Sequence, residues 1–288
     1  MQLDDMRPLA IEDIAEFSPW PARLLSLSRF EAPRRSLEKI ESEYNQDKWL
    51  KCLEAYRDSQ GAMNARTLRL FVYGGNGREL RAGVHRGRLV LATVETLLET
   101  YDQILAEVMA ESIARSRTVV ELGASFGQIM WGLAQRFPDV AYRGGEYSEN
   151  AVTLANELYR NGPDIQVSRF NFYDDTYEVL EKAEAPVTVF TSQAIEQIPS
   201  AAHIVDVLGK YRDKIVSVFH LEPSYELYDD SLLGLMRRRY IEINDYNRDL
   251  VGVLQGRRDV RVLRLEPEVI GWNPFNALAL VHWTFRRA

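Results

Sequence analysis

The sequence predicts an α/β protein: a seven-stranded, mostly parallel sheet with helices on both faces, preceded by an N-terminal extension of helices and a β-ribbon. From residue 118 onward, apolar β-favouring segments alternate with amphipathic helical segments, which is the pattern of a parallel sheet covered on both faces. The last two strands are joined by the irregular segment EPEVIGWNPFN, which predicts an antiparallel closing strand at the edge of the sheet. Residues 1–94 lack this alternation, so we expect them to form the extension and residues 95–288 to form the main domain.

Composition and charge exclude several classes of protein. The 288 residues include 35 Lys+Arg and 42 Asp+Glu, which gives a formal charge of −7. This acidic balance argues against a general affinity for nucleic acid, because phosphate binding needs a positive face. Cys52 is the single cysteine, so an intramolecular disulfide and a cysteine-based metal site are excluded. With no long apolar run and no apolar signal-peptide region, we expect a cytoplasmic protein without a membrane partner.

The extension contains both helical and β-favouring segments. Apolar residues recur at helical spacing between Ser36 and Asp58, which predicts one amphipathic helix or two short ones. In residues 66–92, β-favouring runs are separated by Gly74-Gly75-Asn76-Gly77 and by His85-Arg86-Gly87, which indicates a hairpin or β-ribbon. A strong helix is then predicted over Val94–Arg115.

The main domain alternates strands and helices. The predicted strands are Thr118–Leu122, Ala141–Glu146, Ile165–Phe170, Val187–Thr191, Ile215–His220, Val260–Leu265 and Ala277–Phe285. The predicted helices are Gln128–Arg136, Asn150–Asn161, Thr176–Lys182, Ala201–Tyr211 and a long one over Ser231–Leu254.

The most informative motif is the turn that follows the first strand of this domain. An apolar strand ends in Glu121-Leu122, passes through Gly123 to Gly127 and feeds directly into a helix. Small residues in such a turn allow a ligand to approach the backbone, and the turn lies where an open α/β sheet binds its ligands. The next strand ends in Glu146, whose carboxylate could accept both hydrogen bonds of a ribose diol.

These residues resemble the class I S-adenosylmethionine-dependent methyltransferases of the small-molecule and natural-product type, which have a Rossmann-like fold. In that family an acidic residue precedes G-x-G-x-G, and here serine replaces the middle glycine. The resemblance implies that S-adenosylmethionine is the cofactor and that the loop over residues 191–199 closes over its methionine end. The cofactor-binding residues that it implies are Glu121, Gly123, Ser125, Gly127, Glu146, Tyr147, Asn171, Phe172 and Ser192.

A nicotinamide-binding protein is the natural rival to this interpretation. The dinucleotide motif is G-x-G-x-x-G and leaves room for a pyrophosphate at the start of the helix. Here Glu121 precedes the first glycine. Its carboxylate would repel a pyrophosphate, whereas it suits a cofactor with an ammonium and a sulfonium cation. A purely structural role, in which Glu121 and Gly123 only end a strand, is the remaining alternative.

Two residues are candidates for chemistry on the acceptor. His220 ends the fifth predicted strand, where an imidazole could act as a general base, although it could equally hydrogen-bond the backbone or line the pocket. Glu196 lies in the loop after the fourth strand and could bind a substrate cation or orient a base. Metal-dependent methyltransferases carry acidic ligands after the fourth strand, where this chain has Ser192 and Gln193, so no catalytic metal is expected.

The function expected from the resemblance is in-line transfer of a methyl group to O or N of a small metabolite, such as a natural-product or sugar-type intermediate. Two alternatives remain open at this point. One is methylation of a peptide or protein side chain or carboxyl group, and the other is a non-catalytic S-adenosylmethionine-binding partner subunit. The extension is expected to form a lid or a wall of the substrate site, and a homodimer is left open.

Overall fold

The computed structural model describes residues 6–30, 35–60, 62–74 and 77–286. Residues 1–5 of the acidic N-terminus and the Gly75-Asn76 pair of the predicted turn lie outside these ranges. Within the ranges, no helix combines the length and the apolar character that a membrane crossing requires.

The N-terminal region is largely helical. Its elements are β1 (Arg7–Pro8), α1 (Ile14–Phe17), α2 (Trp20–Leu24), α3 (Leu37–Ile40), α4 (Leu50–Asp58) and α5 (Ala65–Gly74). A π-helical segment, Glu41–Trp49, joins α3 to α4, so the helical prediction over residues 36–58 is confirmed. The strand prediction at the start of residues 66–92 is wrong, because Ala65, Leu68 and Val72 pack on the core at helical spacing.

A hairpin follows and joins the main sheet. Its strands are β2 (Leu80–His85) and β3 (Arg88–Thr93), and the turn residues Arg86 and Gly87 have φ values of 49° and 76°. Positive φ at both positions is the conformation that matches the twist of a two-residue hairpin. β1 pairs with β3, and β2 pairs with the ninth strand along the chain, so the ribbon extends the sheet.

The main domain supplies the remaining elements. The strands are β4 (Thr118–Leu122), β5 (Ala141–Glu146), β6 (Ile165–Arg169), β7 (Val187–Ser192), β8 (Ile215–Pro223), β9 (Val260–Gly271) and β10 (Leu278–Phe285). The helices are α6 (Val94–Ile113), α7 (Gln128–Ala134), α8 (Glu149–Leu158), α9 (Glu178–Lys182), α10 (Ala202–Gly209), α11 (Leu232–Ile243) and α12 (Leu250–Gly256).

The sheet corrects the predicted fold class in two respects. Within the described residues it has ten strands in the order β1-β3-β2-β9-β10-β8-β7-β4-β5-β6, not seven. Four pairings are parallel and five are antiparallel, so the sheet is mixed and not mostly parallel. The last strand is antiparallel as predicted, but the prediction that it lies at the edge of the sheet is wrong, since β10 lies between β8 and β9. The excess of antiparallel pairs arises because the free edge of β9 accepts the N-terminal hairpin, whose strands need no helical crossover.

Chain order reverses between β4 and β7, which are neighbours in the parallel half of the sheet. An open α/β sheet binds its ligands at such a switch point, outside the carboxyl ends of the strands. The strands β4, β5, β7 and β8 end on this side. The structure therefore brings the segments after these four strands together.

Apolar side chains cover both faces of the sheet. On one face, α4 to α8 contribute residues such as Leu53, Tyr101 and Met130 to one large cluster. On the other face, α9, α10 and α12 form a second cluster around Leu208 and Leu254. The N-terminal helix α4 thus shares a core with the main domain.

The single helix predicted over Ser231–Leu254 is two helices, α11 and α12. The break begins at Asn244, and Asp245 has a positive φ of 54°. Asn247 accepts from the backbone N–H of Leu250 at the start of α12, and its own N–H donates to the backbone oxygen of Glu196. The break therefore connects α11 and α12 to the loop after β7.

Candidate functional site

A cavity of about 420 Å³ lies at the carboxyl ends of the parallel strands. Its wall includes Glu121 of β4, Glu146 of β5 and Ser192 of β7, together with residues of the π-helical segment and of the loops after α11 and β9. The cavity therefore spans the switch point and continues beneath the N-terminal helices.

The turn after β4 forms one side of the cavity. Gly123, Ser125 and Gly127 have φ values of 82°, 46° and 75°. A Cβ atom on Gly123 would lie 2.3 Å from the Cβ atom of Ala194, so this position requires glycine for space as well as for conformation. Gly127 does not reach the cavity wall, and its missing side chain instead leaves room for Tyr159.

Glu146 is buried at the end of β5 and is bound by its own chain. Its Oε2 accepts from the backbone N–H of Ser125 at 2.7 Å, and its Oε1 accepts from that of Ser148 at 2.8 Å. Burial raises the pKa of this carboxyl, and the two backbone donors oppose the shift. Each carboxylate oxygen can accept a second hydrogen bond, so the group remains able to receive two ligand hydroxyls.

Glu121 is the second buried acid at this end of the cavity and has a free acceptor. Its side chain is 1% exposed, and its Oε2 atom has no hydrogen-bond partner in the described part of the chain. Burial and the neighbouring Glu146 raise its pKa well above the ordinary value. A ligand cation at this atom would satisfy the carboxylate and lower that pKa.

The other predicted cofactor-binding residues, Tyr147, Asn171, Phe172 and Ser192, all line the cavity. The Arg169 guanidinium lies 4.9 Å from the centroid of the Tyr147 ring. Ser192 Oγ accepts from the Tyr101 hydroxyl at 2.7 Å. The structure thus brings together every residue of the predicted cofactor set except Gly127.

Glu196 also lines the cavity, from the short 3₁₀ turn Ile195–Gln197 after β7, and this part of the wall is called the Glu196 end. It is 4% exposed, and its two carboxylate oxygens accept from Gln197 Nε2 at 2.9 Å and from Asn276 Nδ2 at 3.4 Å. Burial raises its pKa to about 7, against the opposing effect of the Asn276 hydrogen bond and of Arg35. A carboxyl group with this pKa can exchange a proton at neutral pH.

Glu222 holds the loop that carries Glu196. Its carboxylate accepts from the backbone N–H groups of Ala194, Ile195 and Glu196 at 3.1–3.3 Å and from Thr191 Oγ1 at 2.7 Å. Burial and the nearby Glu196 raise its pKa to about 8. Sequence reasoning missed this role, although a carboxylate near the end of an apolar strand was a usable signal.

His220 does not reach the cavity, which corrects its prediction as a general base. The ring is fully buried, and its Nε2 accepts from Trp283 Nε1 at 2.8 Å. This contact leaves the proton on Nδ1, which lies 2.9 Å from Thr191 Oγ1. Burial lowers the pKa of His220 to about 3. Both ring nitrogens are engaged inside the protein, so the ring has a structural role, the alternative that the sequence left open.

The N-terminal region contributes residues to the cavity wall that the sequence did not single out. Tyr44, Lys48 and Trp49 of the π-helical segment line the cavity. Asn45 connects this segment to α8, because its Oδ1 accepts from Ser148 Oγ at 2.7 Å and from the Asn150 N–H at 3.0 Å. π-Helical segments are rare and often occur at functional sites.

Later parts of the chain complete this wall. The residues that sequence reasoning missed here are Tyr240, Tyr246, Trp272, Asn273 and Asn276. They come from α11, from the break after it and from the segment between β9 and β10. No periodic pattern marks them, so only the folded chain reveals that they lie together.

Three consecutive arginines of α11, Arg237, Arg238 and Arg239, are not part of the cavity wall. Arg237 is 1% exposed, forms an ion pair with Glu268 and donates to the backbone oxygen of Pro274. Arg239 pairs with Glu242 on the exposed face of α11. Arg238 pairs with Asp230, so all three arginines make their contacts within the protein.

Comparisons with known proteins find similarity in solved structures only. No protein-family model and no curated protein matches the chain. The plantazolicin methyltransferase BpumL with a monoazolic desmethylPZN analog and SAH is 10% identical, at a TM-score of 0.49, over 86% of this chain and 100% of that one. The pyocyanin biosynthetic protein PhzM is 14% identical, at 0.44, over 86% and 71%.

The N-methyltransferase NodS from Bradyrhizobium japonicum WM9 with S-adenosyl-l-homocysteine is also similar. It is 8% identical, at a TM-score of 0.46, over 67% of this chain and 88% of that one. These similarities concern the fold. At such identities and TM-scores, no conclusion about activity, acceptor or partners follows from them.

Proposed function

We propose that this protein is a class I S-adenosylmethionine-dependent methyltransferase. The observation that supports the proposal is the convergence of Glu121, Glu146 and the turn around Gly123 on one cavity at the switch point of the sheet. An acid at the end of the first strand and another at the end of the second are what a cationic cofactor with a ribose requires.

The residues present fit this cofactor. Glu146 would accept from the ribose hydroxyls, and the unpaired Oε2 atom of Glu121 would accept from the ammonium of the methionine portion. Gly123 would allow the close approach to the backbone, and Tyr147 and Phe172 would contact the adenosine. The bound cofactor would supply an electrophilic methyl group on a sulfonium, which leaves as a neutral thioether when the acceptor's lone pair forms the new bond.

The chain's own residues would orient the acceptor and remove its proton. Glu196 is the candidate proton acceptor, because it lines the cavity and has a pKa of about 7. Tyr44, Lys48 and Trp49 would form the wall that encloses the acceptor and excludes water. Since this wall comes from residues 1–94, we propose that the extension sets substrate specificity.

The proposed acceptor is a small metabolite of the natural-product or sugar type, methylated on O or N. The cavity supports this choice, because the aromatic side chains of Tyr44, Trp49, Tyr240 and Tyr246 all form part of its wall. A peptide chain would need an open cleft across the same ends of the strands.

Titration calorimetry tests the proposal directly. Purified protein should bind S-adenosylhomocysteine and S-adenosylmethionine, whereas NAD⁺, the ligand of the rival Rossmann class, should not bind. If neither sulfur-containing nucleoside binds, the proposal is overturned. If NAD⁺ binds in their place, the dinucleotide alternative replaces it.

A further inference from the structure

Unpaired hydrogen-bond acceptors gather at the Glu196 end of the cavity. Each Glu196 carboxylate oxygen receives only one donor, from Gln197 or from Asn276. The remaining acceptors of those two amides, Gln197 Oε1 and Asn276 Oδ1, are buried and have no partner among the residues described. Because buried polar atoms are nearly always satisfied, this cluster indicates a ligand that brings several donors.

Glu222, the buried acid that holds the same loop, has the partners that Glu196 lacks. It receives three backbone N–H groups and a hydroxyl. In the described ranges, no ion pair includes Glu196. A buried carboxylate without a cation is costly, so a positively charged ligand group would compensate for its burial.

The charged and titratable groups that face Glu196 come from several elements. The cations are Arg35 and Lys48. Arg35 is already paired with Glu43 and lies over the Tyr246 ring, and Lys48 Nζ lies 4.5 Å from the centroid of the Trp49 ring. The remaining groups are Tyr44, Tyr228, Tyr240, Tyr246 and Glu222.

Aromatic side chains surround the same end. Tyr44, Tyr240 and Tyr246 line the cavity, and the rings of Tyr240 and Tyr246 meet edge to face at a centroid distance of 6.0 Å. An aromatic wall next to a carboxylate is a favourable environment for an organic cation.

We infer that the methyl acceptor is a primary or secondary amine, which enters as an ammonium and is held by Glu196, Gln197 and Asn276. An ammonium supplies two or three N–H donors to these acceptors, whereas a hydroxyl supplies one and a carboxylate supplies none. One proton then passes from nitrogen to the Glu196 carboxylate, which leaves a neutral amine with a free lone pair and a protonated Glu196. This inference rests on the proposed function, because the amine matters here as the acceptor of the methyl group.

The test uses full-length protein saturated with S-adenosylhomocysteine and three matched probes. Tyramine, tyrosol and 4-hydroxyphenylacetate share a phenol ring and carry an amine, an alcohol and a carboxylate. Calorimetry should show tyramine binding at least tenfold more tightly than the other two at pH 8. Tyramine binding should weaken between pH 8 and pH 6, because Glu196 takes up a proton near pH 7 and the amine stays charged.

A variant pair links this binding to Glu196. Glu196→Gln should lower tyramine affinity at least tenfold while S-adenosylhomocysteine affinity stays within twofold. Glu54→Gln, an exposed acid on α4, is the matched control and should change neither affinity.

Equal binding of amine and alcohol, no tyramine binding, or full binding to the Glu196 variant overturns the inference and leaves the proposed function standing. Failure to bind S-adenosylhomocysteine removes the proposed function itself. The three probes are compared on the unmodified protein, so the outcome of that comparison does not depend on whether a variant folds.

Discussion

The two ends of the cavity differ in the kind of group that donates hydrogen bonds to their buried carboxylates. At the end near β4 and β5, the Glu146 carboxylate is already bound by the backbone N–H groups of Ser125 and Ser148. At the other end, Glu196 receives one amide donor per oxygen, and neighbouring amide oxygens remain unpaired. Backbone donors thus hold the first end, where Glu121 Oε2 is the unpaired acceptor, whereas side-chain amides with unpaired oxygens of their own hold the second.

The difference has a structural origin in the loop after β7. Glu222 takes the backbone N–H groups of Ala194, Ile195 and Glu196, so these groups cannot turn toward the Glu196 side chain. Thr191 Oγ1 is hydrogen-bonded to His220 Nδ1 and donates to Glu222 Oε1, and these contacts hold Glu222 in place under the loop. The Glu222 carboxylate therefore keeps these backbone donors away from the Glu196 carboxylate.

The largest effect is expected from removal of that carboxylate. Glu222→Ala leaves three buried N–H groups without a partner, and each such group costs about 1–3 kcal/mol. We expect the free energy of unfolding to fall by on the order of 3 kcal/mol, measured by chemical denaturation. Glu266→Ala on β9 removes only a surface ion pair with Arg264 and serves as the control, with an expected loss of about 1 kcal/mol or less. Equal losses in the two variants would show that Glu222 does not hold the loop.

The next largest effect is expected at the end near β4 and β5. Glu146→Ala should weaken S-adenosylhomocysteine binding more than tenfold, because a buried charged acceptor for the ribose hydroxyls is lost. Glu149→Ala, an exposed acid three residues further along, should leave the affinity within twofold. Calorimetry on both variants measures the effect. An unchanged affinity in Glu146→Ala would mean that this end of the cavity does not bind the ribose of the cofactor as proposed.

The smallest effect is the pH dependence contributed by His220. Its pKa is about 3 in the folded protein and about 6.5 in the unfolded chain, so the unfolded chain binds more protons between these values. Stability from this residue is complete above pH 6.5 and is lost as the pH falls toward 3. Between pH 7 and pH 5.5 the loss is about 1 kcal/mol.

A His220→Gln variant isolates that contribution. The wild-type protein should lose about 1 kcal/mol more than the variant between pH 7 and pH 5.5 in denaturant titrations, since other titrating groups are common to both. Methyl transfer should not depend on the variant beyond its effect on stability. A large loss of turnover in folded His220→Gln would show that His220 takes part in methyl transfer. The acceptor chemistry would then not depend on the Glu196 end alone.

The cofactor end was largely predictable from the sequence. The strands β4 and β5 were predicted with the residues that the structure gives them, and their terminal acids Glu121 and Glu146 lie on the cavity wall. Local signals suffice here, because an apolar strand, a small-residue turn and a helix are consecutive in the chain. Glu196 was predicted for a similar reason, since it lies in the loop that follows β7.

His220 shows where such local reasoning fails. The strand was predicted to end at His220, but β8 continues to Pro223 because β10 pairs with it as far as Leu278. The ring therefore lies within the sheet and not at its edge. Residues far along the chain decided this, and no signal within Ile215–His220 records their presence.

The sequence by itself determined the alternation of strands and helices, the turn at Gly123 and the acids at the ends of the strands. Each depends on periodicity or on conformational limits within about ten consecutive residues. The tertiary structure alone decided that the described residues form a mixed sheet of ten strands and that Tyr44, Glu196, Tyr240 and Asn276 line one cavity. These features arise from contacts between distant segments, whose burial and hydrogen bonding exist only once the chain has folded.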